Sequence, residues 1–395
     1  MSLLSQFLKW LRNKLKAVPL LVLLWRSLKR SAVIARYYIL RFVGCAAYPI
    51  LGCRAPLRGY YLHTLEYLKQ TETLIGLSGS LRTPVAVPVD PGFEMFVGSI
   101  PNGRSLFDYG VVVSPDHRLL SDVSWEGYGQ ISQPFNHPAM QLFYLPPIRH
   151  IAGRVAVISS LSPNNYYHWM FDILPRFGLL QRSGLVPDYY LINDQTQFQK
   201  DSLERLEIPL DKVLNPRTWT HVEADELIVP SLLGPPFQNT PQIQACRYLR
   251  SIFVPKCTAR KAHRALYISR ADAKSRRVAN EIEIQEELLA NGFEVVCLTD
   301  VPLFQQIEMF AEARIVVGPH GAGLTNVVFS EPGSVLIEFV PEGWKIDCFE
   351  ILARNVELKY HSIICAESNV SPFQSRLNDH FVDRTVLRQL IRPYV

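Results

Sequence analysis

The chain has 395 residues, of which 48% are hydrophobic and 19% charged; this excludes an intrinsically disordered protein and predicts two α/β domains with appendages. Its net charge of +5 is unevenly placed, because residues 1–65 contain eleven of the 41 Lys and Arg residues and no Asp or Glu. The remaining 330 residues hold 30 basic and 36 acidic side chains, a net charge of −6, which argues against a nucleic-acid-binding body.

The first 65 residues are predicted to form a basic amphipathic segment. Phe7, Leu8, Leu11 and Leu15 fall at helical spacing, and Lys and Arg side chains lie between them. The longest charge-free apolar run is nine residues and contains a proline, which is well short of the roughly 20 residues needed to span a bilayer. We therefore expect a helix that lies on an anionic membrane surface; a solvated helix packed on the body is the alternative.

Residues 66–240 are predicted to form an N-terminal α/β domain with a β-hairpin insert. Short alternating runs rich in Pro and Gly, between residues 83 and 151, are typical of hairpins and loops. The segments VAVISS, YYLIN and ELIVPS then have the β-branched composition of buried parallel strands.

Residues 241–370 are predicted to form a Rossmann-like domain, followed by a C-terminal tail or helix over residues 371–395. The boundary is placed at the turn GPPFQNT, which precedes a helix from Pro241 to about Phe253. Strands and helices then alternate through ALYISR, NEIEIQEELLANG, FEVVCL, LFQQIEMFAEA, RIVVG, GLTNVVF, SVLIEF, CFEILARN and ELKYHSI. Each strand–helix–strand step closes within about 25 to 30 residues, as right-handed crossovers require.

The segment SPNNYYHWMFDILPR (162–176) contains a candidate general base. His168 and Asp172 are four residues apart, so on a helix they share a face, and the carboxylate can orient the imidazole. Pro175 makes an unbroken helix through this segment unfavourable. The alternative is that the histidine packs between domains while Asp172 bridges to Arg176.

Polar side chains follow the strand ALYISR at the edge where ligands of open α/β sheets bind. Arg270 ends this strand and can pair with a phosphate, and Arg276 and Asn280 follow in the next loop. Glu338 ends the strand SVLIE and can accept hydrogen bonds from ribose hydroxyls; a purely structural acid is the alternative.

The strongest local pattern is RIVVGPHGAGLTNVVF (314–329), in which a buried strand meets a glycine-rich turn and a helix. The turn is formed by Gly318, Pro319, His320, Gly321, Ala322 and Gly323. Unpaired N–H groups at the start of the helix, on Gly323, Leu324 and Thr325, can bind an anion such as a diphosphate. The pattern differs from both the G-x-G-x-x-G fingerprint and the P-loop, which disfavours a dehydrogenase or an NTPase.

Metal and disulfide chemistry are not predicted. No D-x-D motif occurs, and Glu223 and Asp225 are the closest approach to one. Seven widely spaced cysteines without a C-x-x-C pair indicate neither a disulfide framework nor a zinc site. Cys297 and Cys348 lie in apolar runs and are expected to be buried thiols, which fits a reduced, cytoplasmic setting.

These segments together resemble glycosyltransferase family 61, once described as a domain of unknown function in capsular polysaccharide and plant wall glycan synthesis. The resemblance covers residues 150 to 365 approximately; residues 1 to 80 have no counterpart in it. It is carried by HWMFDILPR, YISR followed by R-x-x-x-NE, GFEVV, VVGPHGAGLTNVVF and PGSVLIEF.

The resemblance implies a GT-B architecture of two facing Rossmann-like domains with an interdomain cleft, metal-independent inverting transfer and a UDP-sugar donor. It implies that the donor nucleotide and its phosphates contact Arg270, His320, Gly321, Gly323 and Asn326. Glu338 would then lie near the ribose. His168 and Asp172 would face the reaction centre from the N-terminal domain, residues 66–240, which would be the acceptor domain.

The hypothesis is therefore an enzyme that transfers a hexosyl, pentosyl or N-acetylhexosaminyl group from a UDP-sugar, without a metal or other cofactor. Its acceptor would be a hydroxyl of a glycan or lipid-linked molecule, in polysaccharide or capsule synthesis at the inner face of a membrane. Two alternatives remain: a non-catalytic glycan-binding or scaffold protein that keeps the fold, and a Rossmann oxidoreductase, which the absence of G-x-G-x-x-G disfavours.

Overall fold

The computed structural model describes residues 55–75, 77, 94–124, 137–142, 144–234, 240–254, 262–343, 346–367 and 378–395. Residues 1–54 of the predicted amphipathic segment lie outside the described residues, so the helix expected there stays a prediction. Among the residues that are described, none of the helices combines the length and the apolarity that crossing a membrane requires.

The first sheet contains ten strands within the described ranges. They are β1 (Gly59–Tyr61), β2 (Leu74–Ile75), β3 (Val97–Pro101), β4 (Arg104–Leu106), β5 (Val111–Val113), β6 (Arg118–Leu120), β7 (Arg149–Val157), β8 (Tyr189–Leu191), β9 (Val213–Leu214) and β10 (His221–Pro230). The half formed by β10, β7, β8 and β9 is parallel, in that order. On its other edge β10 pairs antiparallel with β3 and β4, and the sheet continues through β5, β6 and β1. The predicted hairpin region therefore extends the parallel half as an antiparallel meander.

The second sheet has the strand order β12-β11-β13-β14-β15-β16, and it is parallel except for β16 at one edge. Its strands are β11 (Arg264–Ser269), β12 (Glu294–Cys297), β13 (Ala313–Pro319), β14 (Val335–Pro341), β15 (Lys359–Glu367) and β16 (His380–Phe381). Every residue of β14 is buried, because helices cover both faces of a parallel sheet. The order of the first five strands is that of a flavodoxin-like doubly wound sheet.

Nine α-helices are described: α1 (Thr64–Gln70), α2 (Tyr166–His168), α3 (Arg176–Ser183), α4 (Gln197–Arg205), α5 (Ile243–Phe253), α6 (Glu281–Ala290), α7 (Leu303–Ala311), α8 (Cys348–Asn355) and α9 (Arg384–Ile391). A π-helix, Trp169–Ile173, directly follows α2. The described 3₁₀-helices are Pro138–Gln141, Leu210–Lys212, Ala322–Phe329 and Arg392–Tyr394. The α/β alternation predicted from residue 241 onwards is confirmed, and the helix predicted at GLTNVVF is a 3₁₀-helix.

One large hydrophobic core joins the two sheets. Ala156 and Ile228 of the first sheet, and Leu266 and Val316 of the second, belong to the same buried cluster as the π-helix and the 322–329 helix. Successive strand residues point to opposite faces, so the neighbours of Val316 in β13 enter a separate outer core with α6 and α9. The structure is thus a mixed α/β fold in which a shared helical layer lies between a half-parallel, half-antiparallel sheet and a second, largely parallel sheet.

Of the two cysteines that were expected to be buried, one is buried and the other is exposed to solvent. Cys348 is buried at the start of α8, whereas Cys297 is exposed, so the expectation for Cys297 was wrong. The reason is the strand order, because β12 lies at the edge of its sheet and presents both of its ends to solvent.

Candidate functional site

A cleft opens at the carboxyl ends of β11 and β13, where the strand order of the second sheet reverses. After β11 the chain crosses to β12 on one side, while β13 pairs with β11 on the other side, which leaves a crevice between the two crossover connections. The cavity has a volume of about 320 Å³. It is lined by Ile268, Ser269, Arg270, Asp272, Ala273, Lys274, Leu298, Thr299, Pro319, Gly321, Gly323 and Leu324.

Arg270 directly follows β11 and reaches into this cleft. Its Nη2 donates to the carbonyl oxygen of Ser275 at 3.2 Å, while its Nε is buried without an acceptor among the described residues. Burial lowers the pKa of Arg270, because the charged guanidinium is removed from water. An arginine cannot become neutral at ordinary pH, so its remaining donors are best satisfied by an anion.

Gly321 explains why small residues are required beside this arginine. A methyl group built on Gly321 would lie well inside van der Waals contact with Nη1 of Arg270. The backbone of Gly321 is extended, with φ of 174°, so the glycine is needed for close approach and not for an unusual backbone angle. The glycine-rich turn therefore packs directly against the guanidinium.

Arg276 places a second guanidinium close to the first. Its backbone has φ of +57°, an uncommon value for a residue other than glycine. Burial, and then the charge of Arg270, lower the pKa of Arg276 to about 10. Two like charges that are both removed from water repel each other, and an anion between them would relieve this repulsion.

His320 and Glu338 form a buried pair behind the glycine turn. Nδ1 of His320 donates to Oε1 of Glu338 at 2.5 Å, and the Tyr360 hydroxyl donates to Oε2 at 2.7 Å. Glu338 has no exposed surface. Both carboxylate oxygens of Glu338 thus accept hydrogen bonds from the protein. The predicted contact between Glu338 and a ribose stays a prediction, and it would require His320 or Tyr360 to move.

The 322–329 helix uses a different hydrogen-bond pattern from the predicted α-helix. In this 3₁₀-helix the N–H of Leu324 donates to the carbonyl oxygen of Gly321 at 3.0 Å. The backbone groups that can face an anion therefore precede Leu324, on Ala322 and Gly323. The side chains of Thr325 and Asn326 are fully buried.

The predicted His168–Asp172 pair is present at the carboxyl end of β7. Nδ1 of His168 donates to Oδ2 of Asp172 at 2.6 Å, and the two side chains are 16% and 34% exposed. His168 ends α2 and Asp172 lies in the π-helix. Pro175 follows the π-helix and directly precedes α3, so the proline separates the two helical segments. The interaction leaves Nε2 of His168 as the nitrogen that can accept a proton.

Two contacts connect this helix with the glycine turn. The hydroxyl of Tyr166 donates to Oδ1 of Asn326 at 2.5 Å, and Nδ2 of Asn326 donates to Gln306 at 2.8 Å. The ring of Phe349 packs edge-on against His320, with centroids 5.1 Å apart, and edge-on against Tyr167 at 6.0 Å. Asn326, predicted to bind the donor, therefore bridges the two halves of the chain in this structure.

The family model of glycosyltransferase 61 matches residues 166–337, which include both the His168 helix and the cleft of the second sheet. This part of the chain belongs to glycosyltransferase family 61. The match begins at Tyr166 and ends one residue before Glu338, so it contains the other site residues predicted from the sequence.

Curated relatives share short segments with this chain. A β-1,2-xylosyltransferase of Arabidopsis thaliana is 30% identical over 84 residues, which are 21% of this chain and 15% of that protein. The β-1,2-xylosyltransferase XAX1 of Oryza sativa subsp. japonica is 32% identical over 126 residues, 30% of this chain and 22% of the relative. An EGF domain-specific O-linked N-acetylglucosamine transferase of Drosophila melanogaster is 28% identical over 149 residues, 34% and 28% of the two chains. The chain thus spans between 15 and 28% of the length of these three relatives.

Asn280 makes a structural contact with the C-terminal segment. Its Nδ2 donates to the carbonyl oxygen of Val382 at 2.9 Å, and its Oδ1 accepts from the N–H of Val382 at 3.0 Å. These two hydrogen bonds connect the C-terminal segment to the start of α6. Its predicted contact with the donor stays a prediction.

Two residues near the predicted sites were missed from the sequence. His380 of β16 is fully buried near Arg270 and Arg276, where the pairing of β16 with β15 and the bridge between His380 and Val278 place it. Arg176 was noted only as a possible partner of Asp172, yet its fully buried guanidinium donates to the carbonyl oxygens of Ile158, Ser159 and Pro230. Neither residue has a local motif, although the proximity of Arg176 to His168 in sequence was a usable signal.

No cluster of three or more His, Cys, Asp or Glu side chains suited to a metal ion occurs among the residues that the structure describes. The described basic side chains in the cleft or next to it are Arg270, Lys274, Arg276 and His320.

Proposed function

We propose that this protein is a glycosyltransferase that moves a sugar from a UDP-sugar to a hydroxyl of a glycan or lipid-linked acceptor, with inversion at the anomeric carbon. The diphosphate of the donor would bind at the cleft of the second sheet, between Arg270 and Arg276 and beside Gly321. The activities for which the relatives are named favour xylose and N-acetylglucosamine as the first sugars to test.

The observation that supports this proposal most directly is the pair of guanidiniums at the switch point of the second sheet. Burial lowers the pKa of both, and Nε of Arg270 lacks an acceptor among the described residues. Removing two like charges from water costs free energy unless an anion compensates them. Charge that develops on the leaving phosphate would be stabilised by groups already in place, so the proposed reaction needs no metal ion.

The His168–Asp172 pair supplies the proposed base. The acceptor oxygen would form its bond to the anomeric carbon as the bond from that carbon to the β-phosphate oxygen breaks. The acceptor proton would pass to Nε2 of His168, because Nδ1 already donates to Asp172. UDP would leave with the electron pair of the broken bond, and its charge would lie against Arg270 and Arg276.

The proposed architecture is of the GT-B type, with the half that contains His168 serving the acceptor and the half that contains Arg270 serving the donor. Residues 1–65 would attach the enzyme to the inner face of a membrane, where polysaccharide or capsule precursors are built on lipids. The basic composition of that segment supports the attachment.

A screen of UDP-sugars with the purified full chain tests the proposed function. UDP-xylose and UDP-N-acetylglucosamine should release UDP in the presence of EDTA, and a donor at 100 times its Kd should add about 2.7 kcal/mol of stability. Arg270→Ala should lower kcat by about 100-fold or more, whereas Arg392→Ala, at an exposed site near the C-terminus, should leave it unchanged. Wild-type turnover by Arg270→Ala, or a requirement for manganese, would exclude the proposed site.

A further inference from the structure

A short C-terminal segment completes the arginine cluster from a third side. β16 pairs antiparallel with β15, and His380 also forms a parallel β-bridge with Val278 in the loop after Arg276. The N–H of Ala279 donates to the carbonyl oxygen of His380 at 2.8 Å, and the N–H of His380 donates to that of Arg277 at 3.0 Å. These contacts fix the position of His380 relative to the arginine loop.

The imidazole of His380 is buried and has no hydrogen-bond partner in the part of the chain that the structure describes. The side chain has no exposed surface, and neither Nδ1 nor Nε2 has a partner among the described residues. Burying an imidazole in this way leaves two polar atoms unsatisfied, which costs free energy and is uncommon in native proteins. Such an atom is expected to find its partner in another state of the protein.

The charges around His380 are predominantly positive. Arg270 from the end of β11, Arg276 from its loop and His320 from the end of β13 all act electrostatically on the imidazole. Two carboxylates lie nearby. Asp379 pairs with Arg277 at 2.8 Å, and Glu367, opposite His380 on β15, accepts from Asn378 and from the N–H of Gly343. Without an anion, this environment keeps the imidazole neutral.

We infer that binding of a diphosphate between Arg270 and Arg276 draws a proton from solvent onto His380, so that the anion site gains a third positive charge only when it is occupied. This inference rests on the proposed donor site. A bound diphosphate opposes the field of the two guanidiniums, and the ring nitrogen that lacks a partner becomes an imidazolium N–H that can donate. The proton comes from bulk buffer and returns to it when the diphosphate leaves.

The size of the effect follows from linkage. Burial and the neighbouring arginines lower the pKa of His380 to about 4, although Asp379 opposes the shift. If the bound state restores the ordinary value of about 6.5, donor binding takes up about 0.9 proton at pH 5.5 and about 0.1 proton at pH 7.5. Affinity should accordingly be about 10-fold tighter at the lower pH.

Calorimetry with UDP-xylose tests this in the full-length protein. Both phosphates of UDP-xylose are esterified, so the ligand carries no titrating phosphate in this pH range. Titrations at pH 5.5 and 7.5, each in two buffers of different ionisation enthalpy, give the number of protons taken up. His380→Asn should abolish the uptake and the pH dependence of Kd, while His263→Asn, at an exposed position before β11, should preserve both.

The possible outcomes separate the two proposals. Binding without proton uptake by the wild-type chain, or uptake that persists in His380→Asn, would overturn the role of His380 and leave the donor site intact. If His380→Asn does not fold, the wild-type measurements still decide, since equal affinity and no uptake at the two pH values would contradict the inference. Absence of any binding of UDP-xylose and of UDP would overturn the proposed donor site, and this inference with it.

Discussion

Adding one methyl group at Gly321 tests whether UDP binding depends on the close packing of the glycine turn against Arg270. Gly321→Ala would place a Cβ against Nη1 of Arg270, and the atom that must move is the end of a flexible side chain. We expect the fold to persist and the guanidinium to shift, with UDP bound about 10-fold more weakly. Calorimetry for affinity and thermal unfolding for stability measure the two effects separately.

A double-mutant cycle shows whether this loss acts through the arginine. In an Arg270→Ala background the added methyl has nothing to displace, so Gly321→Ala should then change UDP affinity very little. Equal losses in both backgrounds would mean that the methyl blocks the ligand itself.

The His168–Asp172 pair has a natural control in the same chain. His150 and Asp225 form a second His–Asp pair, which is exposed, with Nε2 of His150 and Oδ1 of Asp225 3.0 Å apart. We expect His168→Ala to lower kcat by about 100- to 10,000-fold while UDP affinity stays unchanged, because a base acts on the acceptor and not on the diphosphate. His150→Ala should have neither effect, and a loss of UDP affinity in His168→Ala would argue for a structural role.

At the scale of elements, the two sheets use their switch points differently. In the second sheet the switch point between β11 and β13 is the open cleft. In the first sheet the corresponding position lies between β7 and β10, whose order β9-β8-β7-β10 also reverses there. Arg176 occupies this position, and its buried guanidinium connects the end of β10 with the residue that follows β7. The arginine thereby closes the first sheet and anchors the helical segment that contains Asp172.

Arg176→Met should therefore destabilise the protein. The substitution removes the guanidinium that donates to three carbonyl oxygens, and we expect a loss of about 3 kcal/mol in the free energy of unfolding. Urea denaturation measures this loss, and Arg247→Met on the exposed side of α5 should change stability by about 0.5 kcal/mol or less. Equal stability of the two variants would show that water replaces the guanidinium.

The parallel strands and most helices were predictable from local sequence, because β14 and β13 are short apolar runs separated by amphipathic segments of crossover length. Other features depend on contacts that are remote in sequence. The contact between Glu338 and Tyr360 depends on the pairing of β14 with β15, and the exposure of Cys297 depends on the position of β12 at the sheet edge. His380 depends on the return of the C-terminal segment across residues 277–280.

The helical types near the two sites also escaped prediction. The apolar pattern of GLTNVVF is compatible with either an α- or a 3₁₀-helix, and only the hydrogen bond from Leu324 to Gly321 distinguishes them. The π-helix at Trp169–Ile173 has no signal except Pro175, which interrupts regular hydrogen bonding close by. The sequence therefore predicted which residues belong to the candidate site, but it did not predict their hydrogen-bond partners.

At the scale of the whole molecule, buried neutral histidines should make stability depend on pH. The pKa of His380 falls to about 4 in the folded state, while the unfolded chain has the ordinary value of about 6.5. Between these values the unfolded state binds more protons, so stability is lost as the pH falls from 6.5 to 4. His380 alone accounts for about 3 kcal/mol of this loss. Unfolding free energies measured at several pH values should show it, with a shallower slope in His380→Asn; equal slopes would contradict the buried neutral state.

The charge distribution along the chain predicts how the whole molecule meets a membrane. Residues 1–65 contain eleven basic side chains and no acidic ones, whereas the remaining residues carry a net charge of −6. An anionic bilayer should attract the first segment and repel the rest, which orients the protein with its N-terminal segment on the lipid.

Flotation with vesicles of phosphatidylserine and phosphatidylcholine should recover the full chain at low salt, and neutral vesicles should not. Replacing Lys9, Arg12, Lys14 and Lys16 by Gln removes about 1 kcal/mol of attraction for each charge, so recovery should fall steeply. The same four substitutions should leave UDP affinity unchanged, and undiminished flotation of this variant would show that the basic face is not what holds the protein at the surface.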